Sequence, residues 1–190
     1  MGLTEEDKVI LLSAARKSIN SVFSEELSPV LDYIQFPNLK QNCGAFVTLR
    51  INSDLRGCIG YIFTRIPLFE TVCDAAKQSA FNDPRFLPLT SEELNNVDIE
   101  ISVLSIPTHI SSYDDIKLGV HGLLLEEGVN KSVLLPQVAT ENNLGLGEFL
   151  SILCEKAGLY SQLWKMKMLN LKSFEAQIFS EEEIMRKENE

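Results

Sequence analysis

The chain has 190 residues, of which 45% are hydrophobic and 23% are charged, and its formal net charge is −10. The length suits one domain or one domain with two lobes, and the composition is ordinary for a globular protein. Affinity for nucleic acid comes mainly from Lys and Arg, so this charge disfavours nucleic acid as a partner. No run of about 18 apolar residues could span a bilayer. The acidic N-terminus differs from a secretory signal, so we predict a cytoplasmic protein with no membrane partner.

The cysteines predict no metal centre. The chain has four cysteines and two histidines. No two cysteines are spaced as C-x-x-C, so the spacing of a structural zinc site is missing. In a cytosolic chain the thiols are expected to be reduced. We predict neither a metal nor another cofactor. The cysteines are Cys43, Cys58, Cys73 and Cys154.

Two helices are predicted in the first half of the chain. Thr4, with Asp7 three residues later, resembles a capping box, and apolar spacing predicts a helix over about residues 5–27. Pro67 marks the start of a second helix, which is expected to end at the Asn82-Asp83-Pro84 turn.

Alternating apolar residues predict a sheet. Residues 45–51 alternate as a strand, and the turn cluster at residues 52–54 returns the chain into a second strand over residues 55–63. Residues 97–103 carry the clearest strand pattern. The second half adds strands at 120–125, 132–135 and 174–178 and helices at 136–142 and 147–157. Hairpins mixed with non-alternating helices indicate an α+β fold, a two-lobed single unit with a mainly antiparallel sheet flanked by helices.

Residues 1–180 are assigned to this domain. Residues 181–190 form an acidic C-terminal tail, expected to be a solvated helix without a specific role.

The stretch Leu55-Arg56-Gly57-Cys58-Ile59-Gly60 is the most informative of the chain. In a regular strand, Arg56 and Cys58 point to one face roughly 7 Å apart, since the rise is about 3.3 Å per residue. A guanidinium that close favours thiolate over thiol, which suits a nucleophile or redox thiol. Cys58 is equally well interpreted as a buried packing residue. Gly57 and Gly60 allow a ligand or another backbone to come near.

Five further side chains are candidates, each with a plainer alternative. Arg56 either holds an anionic ligand or ties down a loop through backbone carbonyls. His121 is the base for Cys58 or a histidine bonded to backbone. Arg85 binds an anion or, as we expect, caps the preceding helix. Glu100 is an acid–base group or, preferably, the ion-pair partner of Arg56 or Arg85. Gln137 bonds a ligand or the chain itself.

Six stretches in order resemble the AMMECR domain family. They are residues 55–60, 83–89, 98–104, 119–122, 134–139 and 154–159, and together they span most of residues 5–180. Leu87 departs from the pattern, because the family often has a second proline there.

The resemblance implies a two-lobed α+β fold with the Cys58 stretch near a groove between the lobes. It implies no settled activity. Prokaryotic relatives are companions of Memo-type and radical-SAM proteins, which hints at a shared pathway by association.

Two functions therefore stand as expectations. The first is a groove around residues 55–60 that binds a small anionic ligand or catalyses a reaction through Cys58, with His121 in the catalytic set and Arg56, Gly57, Gly60, Arg85, Glu100 and Gln137 in the ligand-binding set. The second is a non-enzymatic adaptor that acts with a Memo-type or radical-SAM protein. The sequence leaves open whether the protein is an enzyme.

Overall fold

The structure is a computed structural model that describes residues 2–24 and 27–188, without the side chains of residues 185, 187 and 188. The described residues contain six α-helices, α1 (Glu5–Asn20), α2 (Leu68–Phe81), α3 (Gln137–Glu141), α4 (Leu146–Lys156), α5 (Leu163–Met166) and α6 (Glu181–Glu188). They contain seven strands, β1 (Ala45–Ile51), β2 (Asp54–Tyr61), β3 (Val97–Leu104), β4 (Thr108–His109), β5 (His121–Glu127), β6 (Asn130–Leu134) and β7 (Leu171–Ser180). Helices with antiparallel strands confirm the predicted α+β class.

The chain divides into two compact units, Met1–Val103 with Gln177–Glu190 and Leu104–Ala176. In the first unit, β1 pairs antiparallel with β2 on one side and with β3 on the other. Helix α2 packs on β1 and β2, and α1 packs on α2. The apolar positions of β1, Ala45, Val47 and Leu49, are fully buried. The alternation of apolar and polar residues along β1 requires that one face of the sheet be buried, and the helices cover that face.

The hairpin β1–β2 turns at two residues, Asn52 and Ser53, which both have positive φ. Positive φ at both central residues is typical of the tight turns that match the twist of a hairpin. A bulge follows, because Leu49 pairs with Gly57 whereas Arg50 pairs with Leu55. The register therefore skips Arg56. Strand β2 ends at Tyr61, two residues before the predicted end.

Helix α1 starts with the predicted capping box of Thr4 and Asp7. It ends at Asn20, so the predicted extension toward residue 27 is wrong. Beyond that point Ser21 Oγ donates to the Ser18 carbonyl at 2.8 Å, and Ser24 Oγ donates to the Asn20 carbonyl at 3.2 Å. Serine hydroxyls that bond backbone carbonyls compete with helical hydrogen bonding. Residues 25 and 26 lie outside the described residues.

In the second unit, β5 pairs antiparallel with β6 and with β7, and β4 pairs with β7. Helix α4 packs on β5 and β6. Phe149, Leu150 and Leu153 of α4 are fully buried there. The strands and helices expected in this half are present, and the sequence missed β4 and α5.

Helix α6 corrects the expectation that the acidic tail has no specific role. Arg16 of α1 donates from Nε to Glu181 Oε1 at 3.0 Å and also from Nη2 to Glu181 Oε2. Glu181 further accepts the Ile99 amide at 3.1 Å, and Ile184 packs against the apolar core. The tail is thus tied to α1 and β3. Residues 189 and 190 lie outside the described residues.

Candidate functional site

The main chain of Cys58 is held by two side chains from the turn after α2. Asp83 Oδ2 accepts the Cys58 amide at 2.9 Å, and Arg85 Nη2 donates to the Cys58 carbonyl at 3.3 Å. Cys58 lies on β2, the outer strand of the β2-β1-β3 sheet of the first unit. The outer side of an edge strand has no neighbouring strand, so its backbone groups need other hydrogen-bond partners. Asp83 and Arg85 supply them for Cys58.

Asp83 and Arg85 form a two-point ion pair. Arg85 donates from Nε to Oδ1 at 3.0 Å and from Nη2 to Oδ2 at 2.7 Å. The Asp83 side chain is only 2% exposed, whereas that of Arg85 is 54% exposed. The Arg85 hydrogen bond outweighs burial and holds the pKa of Asp83 well below its usual range. The same hydrogen bond raises the pKa of Arg85, and its proximity to the Cys58 thiol adds a small electrostatic contribution.

We expected Arg85 to cap the preceding helix, but its hydrogen bonds go elsewhere. Its own amide donates to Asp83 Oδ1 at 3.1 Å, which closes a local turn and brings the two side chains together. The carboxylate two residues earlier therefore outcompetes the helix carbonyls for the guanidinium, because an ionised acceptor makes the stronger hydrogen bond.

The thiol of Cys58 points away from α2. A Cβ atom at neighbouring Gly57 would meet Ser79 of α2, and adjacent side chains of a strand alternate between faces. The register pairs Cys58 with Thr48, and Thr48 with Glu100. The three side chains therefore form a row across the sheet, in which Thr48 Oγ1 donates to Cys58 Sγ at 3.3 Å. Sequence reasoning missed Thr48, although the register of the predicted hairpin indicates its position.

Arg56 is committed to structural contacts. It donates to Glu93 from Nε at 2.8 Å and from Nη2 at 3.1 Å, and it also donates to the Leu87 carbonyl at 3.0 Å. The hydrogen bond from Arg56 lowers the pKa of Glu93 to about 2. These contacts agree with the alternative in which Arg56 ties down a loop. Because the bulge takes Arg56 out of register, the regular spacing between Arg56 and Cys58 does not apply.

The ion pairs of Arg56 and Arg85 are formed by carboxylates other than Glu100, and the expected pairing of Glu100 with one of these arginines stays a prediction. Glu93 pairs with Arg56, and Asp83 pairs with Arg85. Asp83 and Glu93 both lie on the segment between α2 and β3, whereas Glu100 is the register partner of Thr48 on β3.

The ring of Phe86 lies near both arginines. The ring centroid is 5.9 Å from Arg56 Cζ and 5.5 Å from Arg85 Cζ. A guanidinium near an aromatic ring gains a modest electrostatic attraction, so Phe86 helps to fix both side chains. Its part in the site was not predicted.

The two glycines of the motif face protein backbone. A Cβ atom at Gly57 would lie 2.2 Å from the carbonyl oxygen of Ser79, and one at Gly60 would lie 2.3 Å from that of Ala45. Both distances are far below van der Waals contact. The sequence allowed either a ligand or another backbone to come near these glycines. The structure shows another backbone close to each of them.

Ser79 joins the two strands under α2. The Ile59 amide donates to Ser79 Oγ at 2.8 Å, and Ser79 Oγ donates to the Val47 carbonyl at 2.7 Å. Val47 and Ile59 are register partners, so the hydroxyl bridges a pair in the ladder.

The candidates His121 and Gln137 belong to the second unit. His121 Nδ1 accepts the Lys117 amide at 3.2 Å, which agrees with a backbone-bonded histidine. Gln137 Oε1 is buried without a hydrogen-bond partner among the described residues.

The other cysteines are packing residues. Burial raises the pKa of the Cys43, Cys73 and Cys154 thiols. In the described part of the chain, no three His, Cys, Asp or Glu side chains converge as metal ligands. No helix in that part is long and apolar enough to cross a membrane.

Comparison with known proteins identifies the family. The AMMECR1 family model matches residues 12–179. The chain is 38% identical to Protein Mbar_A1807 of Methanosarcina barkeri, over 95% of this chain and 93% of that protein. It is 35% identical to Protein MJ0810 of Methanocaldococcus jannaschii, again over 95% and 93%. The crystal structure of the uncharacterised protein PH0010 from Pyrococcus horikoshii matches with a TM-score of 0.81 and 36% identity, covering 91% of this chain and 90% of that one. The chain therefore belongs to the AMMECR1 family.

Proposed function

We propose that the protein binds a small anionic ligand beside Arg85 and Cys58, and that the Cys58 thiolate attacks that ligand in a transfer or hydrolysis reaction. One observation carries the proposal. The guanidinium of Arg85 is half exposed, yet the buried carboxylate of Asp83 and the carbonyl of Cys58 hold it in place. An exposed cation that is already immobile loses little conformational entropy when it binds an anion.

Arg85 retains one nitrogen, Nη1, that can donate to the ligand. Asp83 occupies the Nε and Nη2 edge, and Nη1 has no hydrogen-bond partner among the described residues. Guanidinium donors match the geometry of carboxylate and phosphate oxygens. Because Asp83 neutralises the charge of Arg85, the expected attraction for an anion is modest.

Cys58 is the proposed reacting group because the residue is partly exposed and its sulfur accepts a hydrogen bond from Thr48. In the reaction, the sulfur would bond to an electrophilic carbon, and the leaving group would depart with its electron pair and take up a proton. Transfer to water would then release the product.

The test compares two alkylating reagents of similar size and different charge. Native protein is treated with anionic iodoacetate or neutral iodoacetamide, and mass spectrometry measures the rate at each cysteine, normalised to the denatured protein. We expect Cys58 to favour iodoacetate by up to about fivefold, which corresponds to about 1 kcal/mol for an exposed charge pair. Buried Cys43 and Cys154 serve as internal controls and should stay unmodified.

Two arginine variants make the experiment specific. Arg85→Gln should abolish the preference for iodoacetate, and Arg85→Lys should retain part of it. Arg56→Gln is the matched control, since Arg56 is engaged by Glu93 and should leave the ratio unchanged. An unreactive Cys58 in the folded protein, or an equal ratio in wild type and Arg85→Gln, would refute the proposal.

The second candidate function is a non-enzymatic adaptor for a Memo-type or radical-SAM protein. The loop after α1 favours it, because Leu27, Val30 and Ile34 are each more than 90% exposed. Exposed aliphatic side chains on one loop offer apolar surface to a partner protein.

Purified partner proteins distinguish the two functions. If the adaptor function is correct, a Memo-type or radical-SAM protein binds wild type and Cys58→Ala equally and loses affinity for a Leu27→Ser, Val30→Ser, Ile34→Ser triple variant. If neither purified protein binds wild type in a sedimentation or calorimetric assay, the adaptor function is wrong.

A further inference from the structure

A cavity of about 670 Å³ lies within the first unit, away from Cys58. Its walls come from α1, the short 3₁₀ helix at Leu94–Asn96, the start of β3 and α6. Small-molecule sites commonly enclose about 300–1,000 Å³. The cavity therefore has the size of a ligand site, and it shares none of its lining residues with the proposed anion site.

One part of the cavity wall is apolar. It is formed by Val9 and Leu12 of α1, together with Leu94, Val97 and Ile184. Val9 is 43% exposed, although it lies on the helix that supplies much of the first core. A ligand with an apolar body would cover this surface and gain about 25 cal/mol for each Å² removed from water.

The other part of the wall is charged, with an excess of negative groups. Asp98, Glu181 and Glu182 line the cavity together with one cation, Arg16, and Glu182 also pairs with Arg186. All three guanidinium nitrogens of Arg16 already donate to the wall, to Glu181 and to the carbonyls of Leu94 and Val97. Arg16 is thus a poor anchor for an anion, and the carboxylates would repel one.

Asp98 has an unused acceptor in this wall. Its Oδ1 accepts the Glu182 amide at 2.9 Å, and its second oxygen has no hydrogen-bond partner among the described residues. Burial raises the pKa of Asp98, and the nearby Glu181 and Glu182 carboxylates raise it further. The hydrogen bond from the Glu182 amide and the charge of Arg16 lower the pKa in part, and the net shift is upward. Asn20, which also lines the cavity, has a buried Oδ1 without a partner among the described residues. Both atoms would be stabilised by a donor.

The geometry points to a binding site for a small cationic amphiphile, with its ammonium group beside Asp98 and its apolar body against Val9 and Leu12. The apolar part of the wall favours a ligand with an apolar body. The excess of carboxylates favours a positively charged head group over a neutral or negative one. The site acts independently of the proposed chemistry at Cys58.

The experiment uses three ligands with the same chain and different head groups. Octylammonium, 1-octanol and octanoate are titrated below their aggregation limits into isotope-labelled full-length protein, and amide shifts report the site. We expect saturable binding that shifts amides of α1 and α6, tightest for octylammonium and weakest for octanoate. Asp98→Asn keeps an acceptor for the Glu182 amide and should reduce the preference for octylammonium over 1-octanol by about fivefold.

A second pair of variants tests the location. Val9→Trp should fill the cavity and abolish saturable binding of octylammonium, whereas Val22→Trp, at an exposed position that does not line the cavity, should retain it. Circular dichroism confirms that each variant is folded. Unchanged binding in Val9→Trp, equal affinity for octanoate and octylammonium, or an unaltered preference in Asp98→Asn would each overturn the inference.

Discussion

Asp83 joins the main chain of Cys58 to the side chain of Arg85. Its Oδ2 accepts the Cys58 amide at 2.9 Å and Arg85 Nη2 at 2.7 Å. The anchor uses the backbone of Cys58 and leaves its sulfur to Thr48. Replacing the thiol therefore leaves the anchor intact, which makes substitutions at Cys58 suitable for separating chemistry from folding.

Substitution of Asp83 should destabilise the first unit. In Asp83→Asn the ion pair with Arg85 is lost, while the amide oxygen can still accept from Cys58. We expect the free energy of unfolding to fall by about 1–3 kcal/mol, the usual cost of disrupting a buried hydrogen-bonded group. Urea denaturation measures the change. Asp54→Asn, at an exposed position of the same hairpin, should change it by less than about 0.5 kcal/mol. Equal effects would show that the anchor contributes little.

Acid should weaken the fold through Glu93 and Asp83. Arg56 lowers the pKa of Glu93 from 4.5 to about 2, and Arg85 lowers that of Asp83. A carboxyl with a lower pKa in the folded state binds fewer protons there, so its stabilisation is full above the unfolded pKa and is lost as the pH falls toward the folded value. We expect stability to fall between about pH 4.5 and pH 2. Denaturation series across this range should show a shallower loss for Glu93→Gln, and an identical slope would contradict the assignment.

Gly57→Ala should be strongly destabilising. The added Cβ would lie 2.2 Å from the backbone carbonyl of Ser79, so either α2 or β2 must move. Overpacking against backbone costs about 3 kcal/mol or more where nothing flexible can give way. Thermal denaturation should show a marked drop in Tm. At Gly145 the nearest atom to an added Cβ is 3.6 Å away, in the Glu148 side chain, so Gly145→Ala is the control and should cost less than about 1 kcal/mol. A wild-type Tm for Gly57→Ala would mean that the two elements are not in close contact.

Arg16→Ala should weaken the attachment of α6. Arg16 donates to Glu181 and to the carbonyls of Leu94 and Val97, so its loss leaves several acceptors unpaired. We expect about 1–3 kcal/mol of destabilisation. Hydrogen exchange should increase in α6 before it increases in β1. Lys8→Ala removes an exposed ion pair with Glu5 and should cost no more than about 0.5 kcal/mol. Unaltered exchange in α6 would show that Arg16 does not anchor it.

The sequence by itself determined most of the longer helices and strands of this protein and the place of its motif. Alternation gave the exact bounds of β1, and the turn residues Asn52 and Ser53 placed Cys58 on the return strand. These features depend on neighbours along the chain, because side-chain alternation and turn conformation are local properties. The capping box of Thr4 and Asp7 is local in the same sense.

Only the tertiary structure decided the partners of the charged and small residues. One skipped residue in the register redirected Arg56 to Glu93, and the loop after α2 brought Asp83 and Arg85 to Cys58. The approach of α2 assigned Gly57 and Ser79 to packing and strand bridging. Such pairings depend on which segments meet in space, and several carboxylates along the chain are equally suitable partners for an arginine until the fold brings one of them within reach.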